Sequence, residues 1–471
     1  MIALWTQAEL SASVGAAPSN PLSTAVNGVS IDSRTLEAGD LFFAIRGDAH
    51  DGHDHVARAF EAGAAAAVIS RERAPQLAAL GPAFVVEDTL KAMERLGVAA
   101  RARSKAKIVV VTGSVGKTTA KEMLRAMLTA CGATHASAAS YNNHWGVPLT
   151  LARMPADARF GVFEMGMNHA GEIAPLTRMA RPHVALVTTI APVHIEHLGS
   201  IEAIADAKAE IFLGLQPRGT AVLNRDAPQF ERLAKAAASR NARVLGFGRG
   251  ADCDAQLLEV EATEGGSRVR ARVLAHELPF ELGAPGVHMA QDALGALLVA
   301  GALGADLEAC AAALRRFSPQ KGRGERFLLP TPDGLATIID ESYNANPASM
   351  RAALALLAAA KPGPKGRRIA VIGDMLELGP KAAAMHAELA ADLSANKVDL
   401  LFGAGPLTRA LYEAAPASMR AAWTERSSDL TDEVARALRG GDIAMVKGSN
   451  GSRMGPLVSA LRDRFAHGAG G

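Results

Sequence analysis

Aromatic side chains are scarce in this chain. They make up 4% of its 471 residues, whereas hydrophobic residues of all kinds make up 49%. The core must therefore be aliphatic, which suits a layered α/β protein rich in Ala, Val and Leu. An excess of either charge is also lacking: 50 Lys and Arg stand against 48 Asp and Glu, for a formal net charge of +2. No overall field gathers nucleic acid or an anionic membrane, so neither is expected as a partner. Cysteine is reduced to three, Cys131, Cys253 and Cys310. They lie far apart, form no metal-ligand spacing and suit a reducing cytoplasm. Missing too are a basic segment followed by an apolar one near the start, and any apolar run of membrane-spanning length. The expectation is a soluble, cytoplasmic monomer with no stable membrane insertion.

What is present is organised around KIVVVTGSVGKTTAKEMLRAMLTACG, residues 107–132. Ile108 to Val111 is a short β-branched run that reads as a buried strand. Ala120, Met123, Leu124, Met127, Leu128 and Cys131 then recur at helical spacing, and Gly132 is placed to end that helix. Between them lies Thr112-Gly113-Ser114-Val115-Gly116-Lys117-Thr118-Thr119. Glycines let backbone N–H groups approach an anion, a helix N-terminus offers orphan donors, and Lys117 adds a point charge. Thr118 would place its hydroxyl on the Mg2+ that accompanies a nucleotide. The usual pattern has a further leading glycine where this chain has Val111, so the motif is a shortened variant. ATP or GTP binding is the expectation.

A chain of this length exceeds one ordinary core, and about three domains are expected. The first spans 1–105. Val29 to Asp32, Leu41 to Ile45 and Ala66 to Ile69 read as strands, and Val56 to Ala62 as a helix. Ser33-Arg34 and Arg46-Gly47 follow strand ends, where a hydroxyl, a forked cation and a close backbone can hold a phosphate. The cluster Asp48, His50, Asp51, His53, Asp54 and His55, broken by Gly52, matches no standard metal spacing and reads as a solvated or substrate-facing loop.

The second domain spans 106–320. Asn142 and Asn143 form a polar turn before Gly146-Val147-Pro148. Phe160 to Phe163 is a strand ending on Glu164, and a carboxylate there, beside a phosphate loop, is placed to hold Mg2+. His194 follows the strand His183 to Ile190. Residues 199–212 read as a helix whose apolar face includes Lys208. Either that lysine snorkels to water, or burial lowers its pKa and leaves a neutral amine able to take up CO2 as a carbamate. Residues 256–282 read as strand-like and structural, and a helix starts near His288. Arg323, within GlyArgGly at 322–324, marks the passage to a third domain, 321–471. There Thr337 to Glu341 is a strand ending in the acids Asp340 and Glu341. A helix follows over Ser349 to Ala360, with strands near Arg368, Leu400 and Ile443. Strand–helix alternation implies parallel sheets with ligands at strand C-termini.

TGSVGKTT, YNNHWGVPLTL, EMGMNHAGEI, APVHIEHLGS with AKAEIF, IDESYNANPASM, VIGDMLELG and VKGSNGSRM follow one another in an order that resembles the Mur ligase family. DSR, GDLFFAIRG and DGHDH in the first domain are similar to its UDP-substrate region. YNAN and GDMLELG resemble the branch that joins D-Ala-D-Ala to UDP-N-acetylmuramoyl-tripeptide. The resemblance implies three α/β domains: a UDP-sugar-binding domain, a central P-loop ATPase-type domain with a parallel sheet, and a C-terminal Rossmann-like domain for the incoming dipeptide. It implies amide bond formation driven by ATP through an acyl phosphate, in peptidoglycan precursor synthesis.

By the same resemblance Gly113, Ser114, Val115, Gly116, Lys117, Thr118 and Thr119 hold the phosphates. Thr118 and Glu164 bind one Mg2+, and His194 with Lys208, carrying a CO2-derived carbamate, binds near a second. Lys117, Glu164, His194 and Lys208 would be the catalytic set. His288, Arg323, Asp340 and Glu341 resemble further nucleotide contacts. Ser33, Arg34, Arg46, Gly47, Asp51, Gly52, His53, Asn142 and Asn143 resemble UDP-substrate contacts, and Asn344, Asn346, Lys447, Gly448 and Ser449 would face the dipeptide. The chain departs from the family pattern at Met289 and Asp292, where Asn is common, and at Glu341, where Asp is common. The alternatives are a ligase adding the third peptide residue, a folylpolyglutamate synthase, or a non-catalytic nucleotide switch. YNAN and GDMLELG argue against the first two, and a switch needs no Glu164, His194 and Lys208 set.

Overall fold

The computed structural model describes residues 3–47, 50–138, 140–193, 195–263 and 265–468. Strand–helix alternation builds three sheets in chain order. The first has order β1-β2-β3-β4, from Gly28–Ser30, Asp40–Phe43, Ala66–Ser70 and Ala83–Val86. Every neighbouring pair is parallel. Leu41 to Phe43 and Ala66 to Ile69 are wholly buried, as continuous apolar runs in a covered parallel sheet should be. The helix Thr89–Arg103 packs behind them, its first turn capped by Asp88, whose side chain accepts from the Lys91 N–H.

The second sheet has nine strands. They are β5 (Lys107–Thr112), β6 (Thr134–Ala136), β7 (Phe160–Glu164), β8 (Val184–Val187), β9 (Thr220–Asn224), β10 (Arg243–Gly248), β11 (Ala255–Ala262), β12 (Ser267–Val273) and β13 (His276–Leu282). Their order is β13-β12-β11-β10-β9-β8-β5-β7-β6. From β6 to β11 the pairs are parallel, but β12 and β13 turn back as an antiparallel meander. The parallel expectation is therefore refined at this edge. Along β12, Val269, Ala271 and Val273 are buried while Arg268 and Arg270 are exposed, the alternation of a one-sided sheet. The buried side packs on the helix Val287–Ala302, which shares one core with the phosphate-loop helix Lys117–Cys131.

The third sheet is β14 (Glu325–Thr331), β15 (Gly334–Glu341), β16 (Arg368–Gly373), β17 (Leu400–Ala404), β18 (Arg420–Thr424) and β19 (Ile443–Lys447), in order β14-β15-β19-β16-β17-β18. Only the β14–β15 hairpin is antiparallel. Among the described residues no helix is long and apolar enough to cross a membrane.

The first and second sheets are joined by packing as well as by chain. Leu149 and Ala152, on the helix Gly146–Ala152, sit in the core of the first sheet. Trp5 Nε1 donates to the Ala152 carbonyl at 2.8 Å, Arg153 to Val29 at 2.6 Å, and Arg101 to Ala180 at 2.7 Å.

Candidate active site

The strand β5 delivers the chain into the glycine turn, and the helix Lys117–Cys131 leaves it. Gly116 occupies the left-handed region at φ +86° and caps this helix with no side-chain bond, so the helix keeps its orphan N–H groups. A Cβ on Gly116 would come within 2.5 Å of an Asp292 carboxyl oxygen. Lys117 Nζ donates to the Gly113 carbonyl at 2.8 Å. Burial lowers the Lys117 pKa, Glu164 opposes that shift, and Arg323 adds to it.

Glu164, at the C-terminal end of β7, is 1% exposed. Thr118 Oγ1 donates to its Oε2 and Asn142 Nδ2 to its Oε1, both at 2.8 Å. A hydroxyl and a carboxylate on the floor of a phosphate loop are hard oxygen donors of the kind Mg2+ takes. Lys208 is 2% exposed, so the snorkelling alternative is excluded: its ammonium does not reach water. Among the described residues it has no hydrogen-bond partner. Burial, then the nearby Lys117, pulls its pKa well below the ordinary lysine value. A neutral buried amine is the form that reacts with CO2, so the chemistry of this position fits a carbamate. His194 and Asp48 lie outside the described residues.

Lys117, Thr118, Asn142 and Glu164 open into a cavity of about 420 Å3 between the second and third sheets, whereas Lys208 is not part of its lining. Ser114 through Thr119, Asn142 and Glu164 line one side, His288 and Asp292 of the helix Val287–Ala302 another, and Arg323, Glu341, Asn344, Asn346 and Lys447 the third. Arg323 lies 3.9 Å from the Tyr343 ring centroid and 3.4 Å from Ser140 Oγ, so it spans the two domains. Lys447, at the end of β19, bonds Glu341 at 3.2 Å and the Asn344 carbonyl at 3.0 Å. Burial lowers the His288 pKa, Glu341 raises it and Lys447 lowers it. Burial alone raises that of Asp292 well above the carboxylate range.

Several expected residues are not brought here. Asp340 is wholly buried and accepts from the N–H groups of Gly322 and Ser342 and from the Ser342 hydroxyl, so it fixes the loop beneath the cavity. Gly448 and Ser449 lie outside the lining. Ser449 Oγ donates to Ala345 and accepts from Leu376 N–H. Asn346 lines the cavity and also caps the helix Pro347–Ala359 through Ser349 N–H at 2.9 Å. Asn143 caps Gly146 N–H.

Ser33, Arg34, Arg46, Gly47, Asp51, Gly52 and His53 form a separate group on the first sheet. Arg34 pairs with Asp32 at 2.7 Å, and Arg46 with Asp51 at 3.3 Å. Gly52 has no room for a Cβ, which would lie 2.7 Å from the Ile45 nitrogen, and Gly47 N–H donates to the His50 carbonyl. His53 is buried, with Nδ1 2.6 Å from Asp51 and Nε2 accepting Ser70 N–H at 2.9 Å. Both ring nitrogens are committed within the domain, so His53 holds the loop in place. Sequence reasoning missed Thr189, Asn224, Phe247 and Ser140, which also line the cavity. Asn224 ends β9 and Thr189 follows β8, so their positions past strand ends were the available signal.

Fold and site together define a nucleotide-binding α/β protein whose phosphate loop is completed by residues from a second sheet. Three family models match in chain order: Mur ligase family, catalytic domain over 25–131, Mur ligase middle domain over 111–300, and Mur ligase, glutamate ligase domain over 322–450. The UDP-N-acetylmuramoyl-tripeptide–D-alanyl-D-alanine ligase of Bacillus subtilis (strain 168) is 34% identical over 441 residues, covering 93% of each chain. The crystal structure of MurF from Acinetobacter baumannii superposes with a TM-score of 0.83 at 28% identity, covering 98% of this chain and 99% of that one. MurF ligase from Thermotoga maritima, solved in complex with ADP, shares the fold with a TM-score of 0.76 at 24% identity, covering 94% and 98%. The chain belongs to the Mur ligase family.

Proposed function

We propose that this chain is an ATP-dependent amide ligase that joins D-Ala-D-Ala to UDP-N-acetylmuramoyl-tripeptide in peptidoglycan precursor synthesis. The observation that carries the reading is one cavity in which a phosphate loop, the Thr118–Glu164 pair and the cations Arg323 and Lys447 converge from two domains. The names of the near-full-length relatives support the substrates. A carboxylate is a poor acyl donor. Attack of the tripeptide carboxylate oxygen on the γ-phosphorus breaks the bond to ADP and gives an acyl phosphate. The dipeptide amine then displaces inorganic phosphate and loses a proton to form the amide.

The protein's share is placement and charge neutralisation. The backbone N–H groups of residues 113–119 and Lys117 cradle the polyphosphate, and Arg323 reaches it from the third domain. Thr118 and Glu164 would hold one Mg2+, and His194 with the carbamate of Lys208 a second. These ions would offset the repulsion between carboxylate and polyphosphate. His288 and Glu341 flank the nucleotide, while Asn344, Asn346 and Lys447 face the incoming dipeptide. The group around Ser33, Arg34, Arg46 and Asp51 receives the UDP end. The reading has the chain working as a monomer in the cytoplasm, beside the ATP it consumes. Phosphate release with UDP-muramoyl tripeptide, with and without D-Ala-D-Ala, tests it. Release matched by amide product only when both are present is expected. Phosphate release without product, or indifferent to the dipeptide, would contradict the reading.

A further inference from the structure

Lys121 has no part in the site described above. It lies near the start of the phosphate-loop helix with a side chain that is 0% exposed, a costly place for an ammonium. Glu122 supplies a counter-charge, with Oε1 2.6 Å from Nζ, while Arg125 takes its other oxygen at 2.7 Å. A counter-charge on the adjacent residue does not require burial, because the two could meet at the surface. What burial adds is a hydrogen bond from Nζ to the Ser137 carbonyl at 2.8 Å. Ser137, just past β6, is itself fixed on the site. Its N–H donates to Val162 at 3.1 Å, and its hydroxyl accepts the Glu164 N–H at 3.4 Å. The loop leaving Ser137 carries Ser140, which meets Arg323, and Asn142, which holds Glu164 Oε1.

We propose that Lys121 is a positioning residue: through Ser137 it locks the phosphate-loop helix to the end of β6, so that Glu164 and Thr118 meet in the arrangement a nucleotide-bound divalent cation needs. The proposal rests on reading Thr118 and Glu164 as the metal pair of the proposed ligase. Lys121 touches no reacting atom.

Removing Lys121 alone would leave the Oε1 side of Glu122 without its counter-charge, so the pair is changed together as K121M/E122Q, with Gln keeping an acceptor for Arg125. Mn2+ is titrated into the full chain at saturating ADP by electron paramagnetic resonance, and hydrogen exchange is followed over residues 137–143. The double variant is expected to melt with the parent, to bind Mn2+ about tenfold more weakly, and to exchange faster in that loop. Parent-like Mn2+ affinity and exchange would overturn the proposal. Should the double variant not fold, Lys121→Arg is read the same way, since it keeps a cation for Glu122 while taking Nζ away from the Ser137 carbonyl. Weaker Mn2+ binding supports the proposal, and unchanged binding overturns it. A parent that binds Mn2+ and ADP but ligates nothing sinks the functional reading. A ligating parent with Mn2+-indifferent variants sinks only this one.

Discussion

At the scale of single residues, burial decides more than charge. Lys208 shows it: periodicity put this lysine on an apolar face, and the structure covers that face so that only 2% of the residue is exposed. Burial, then the nearby Lys117, lowers its pKa and so favours the neutral amine over the ammonium. On the proposed mechanism Lys208→Ala loses dipeptide-dependent phosphate release and regains part of it with added short-chain carboxylic acids. Full activity without rescue would remove the carbamate from the mechanism. Asp32 and Asp51 carry the opposite shift. Arg34 holds Asp32 down to about 2, and for Asp51 the His53 N–H, the His53 ring and Arg46 outweigh burial to reach about 2, against an ordinary 3.8. A carboxyl depressed by folding stabilises fully above its unfolded value, and that stability fades as pH falls through the folded value. The first domain is therefore expected to lose stability between about pH 4 and pH 2. Asp51→Asn should flatten that acid limb in urea midpoints measured against pH, and an unchanged limb would contradict the assignment.

At the scale of elements, the turn from β5 into its helix is the best-determined piece. An alanine at Gly116 would strain a φ of +86° and press on Asp292. The backbone cost alone is about 1–2 kcal/mol. Gly116→Ala is expected to weaken ADP binding by about tenfold or more in calorimetry, and parent-like affinity would show the turn to be dispensable. This element was legible in the sequence because strand, glycines, Lys117 and helix are contiguous, and local chemistry specifies each. Glu164 was legible for the same reason, as the last residue of a buried run. Asp340 and Glu341 were not separable. Successive side chains on a strand take opposite faces, and only the position of the loop 320–324 shows that Asp340 turns inward. The alternation along β12 and β13 was visible too, but alternation carries no strand direction, so the antiparallel edge emerged only in the fold.

At the scale of the whole molecule, the chain divides differently in sequence and in packing. Residues 146–152 follow the phosphate loop in sequence, yet Leu149 and Ala152 pack in the first core. A linear reading has no access to such a joint, because its partners, Trp5 and Ala152 or Arg153 and Val29, are more than a hundred residues apart. Trp5 is 1% exposed, and the Arg103 guanidinium lies 3.4 Å from its ring centroid. Trp5→Ala is expected to cost about 3–5 kcal/mol and to destabilise the first and second sheets together in denaturant unfolding followed by hydrogen exchange. Loss confined to the first sheet would show that the joint carries no coupling.

The central claim is that a peptide carboxylate takes the terminal phosphoryl of ATP at Lys117. Tripeptide substrate labelled with 18O at both oxygens of its reacting carboxyl group tests it directly in a single turnover with ATP and D-Ala-D-Ala. One labelled oxygen should leave in the inorganic phosphate while the other stays in the new amide. Amide product formed with unlabelled phosphate would contradict the account.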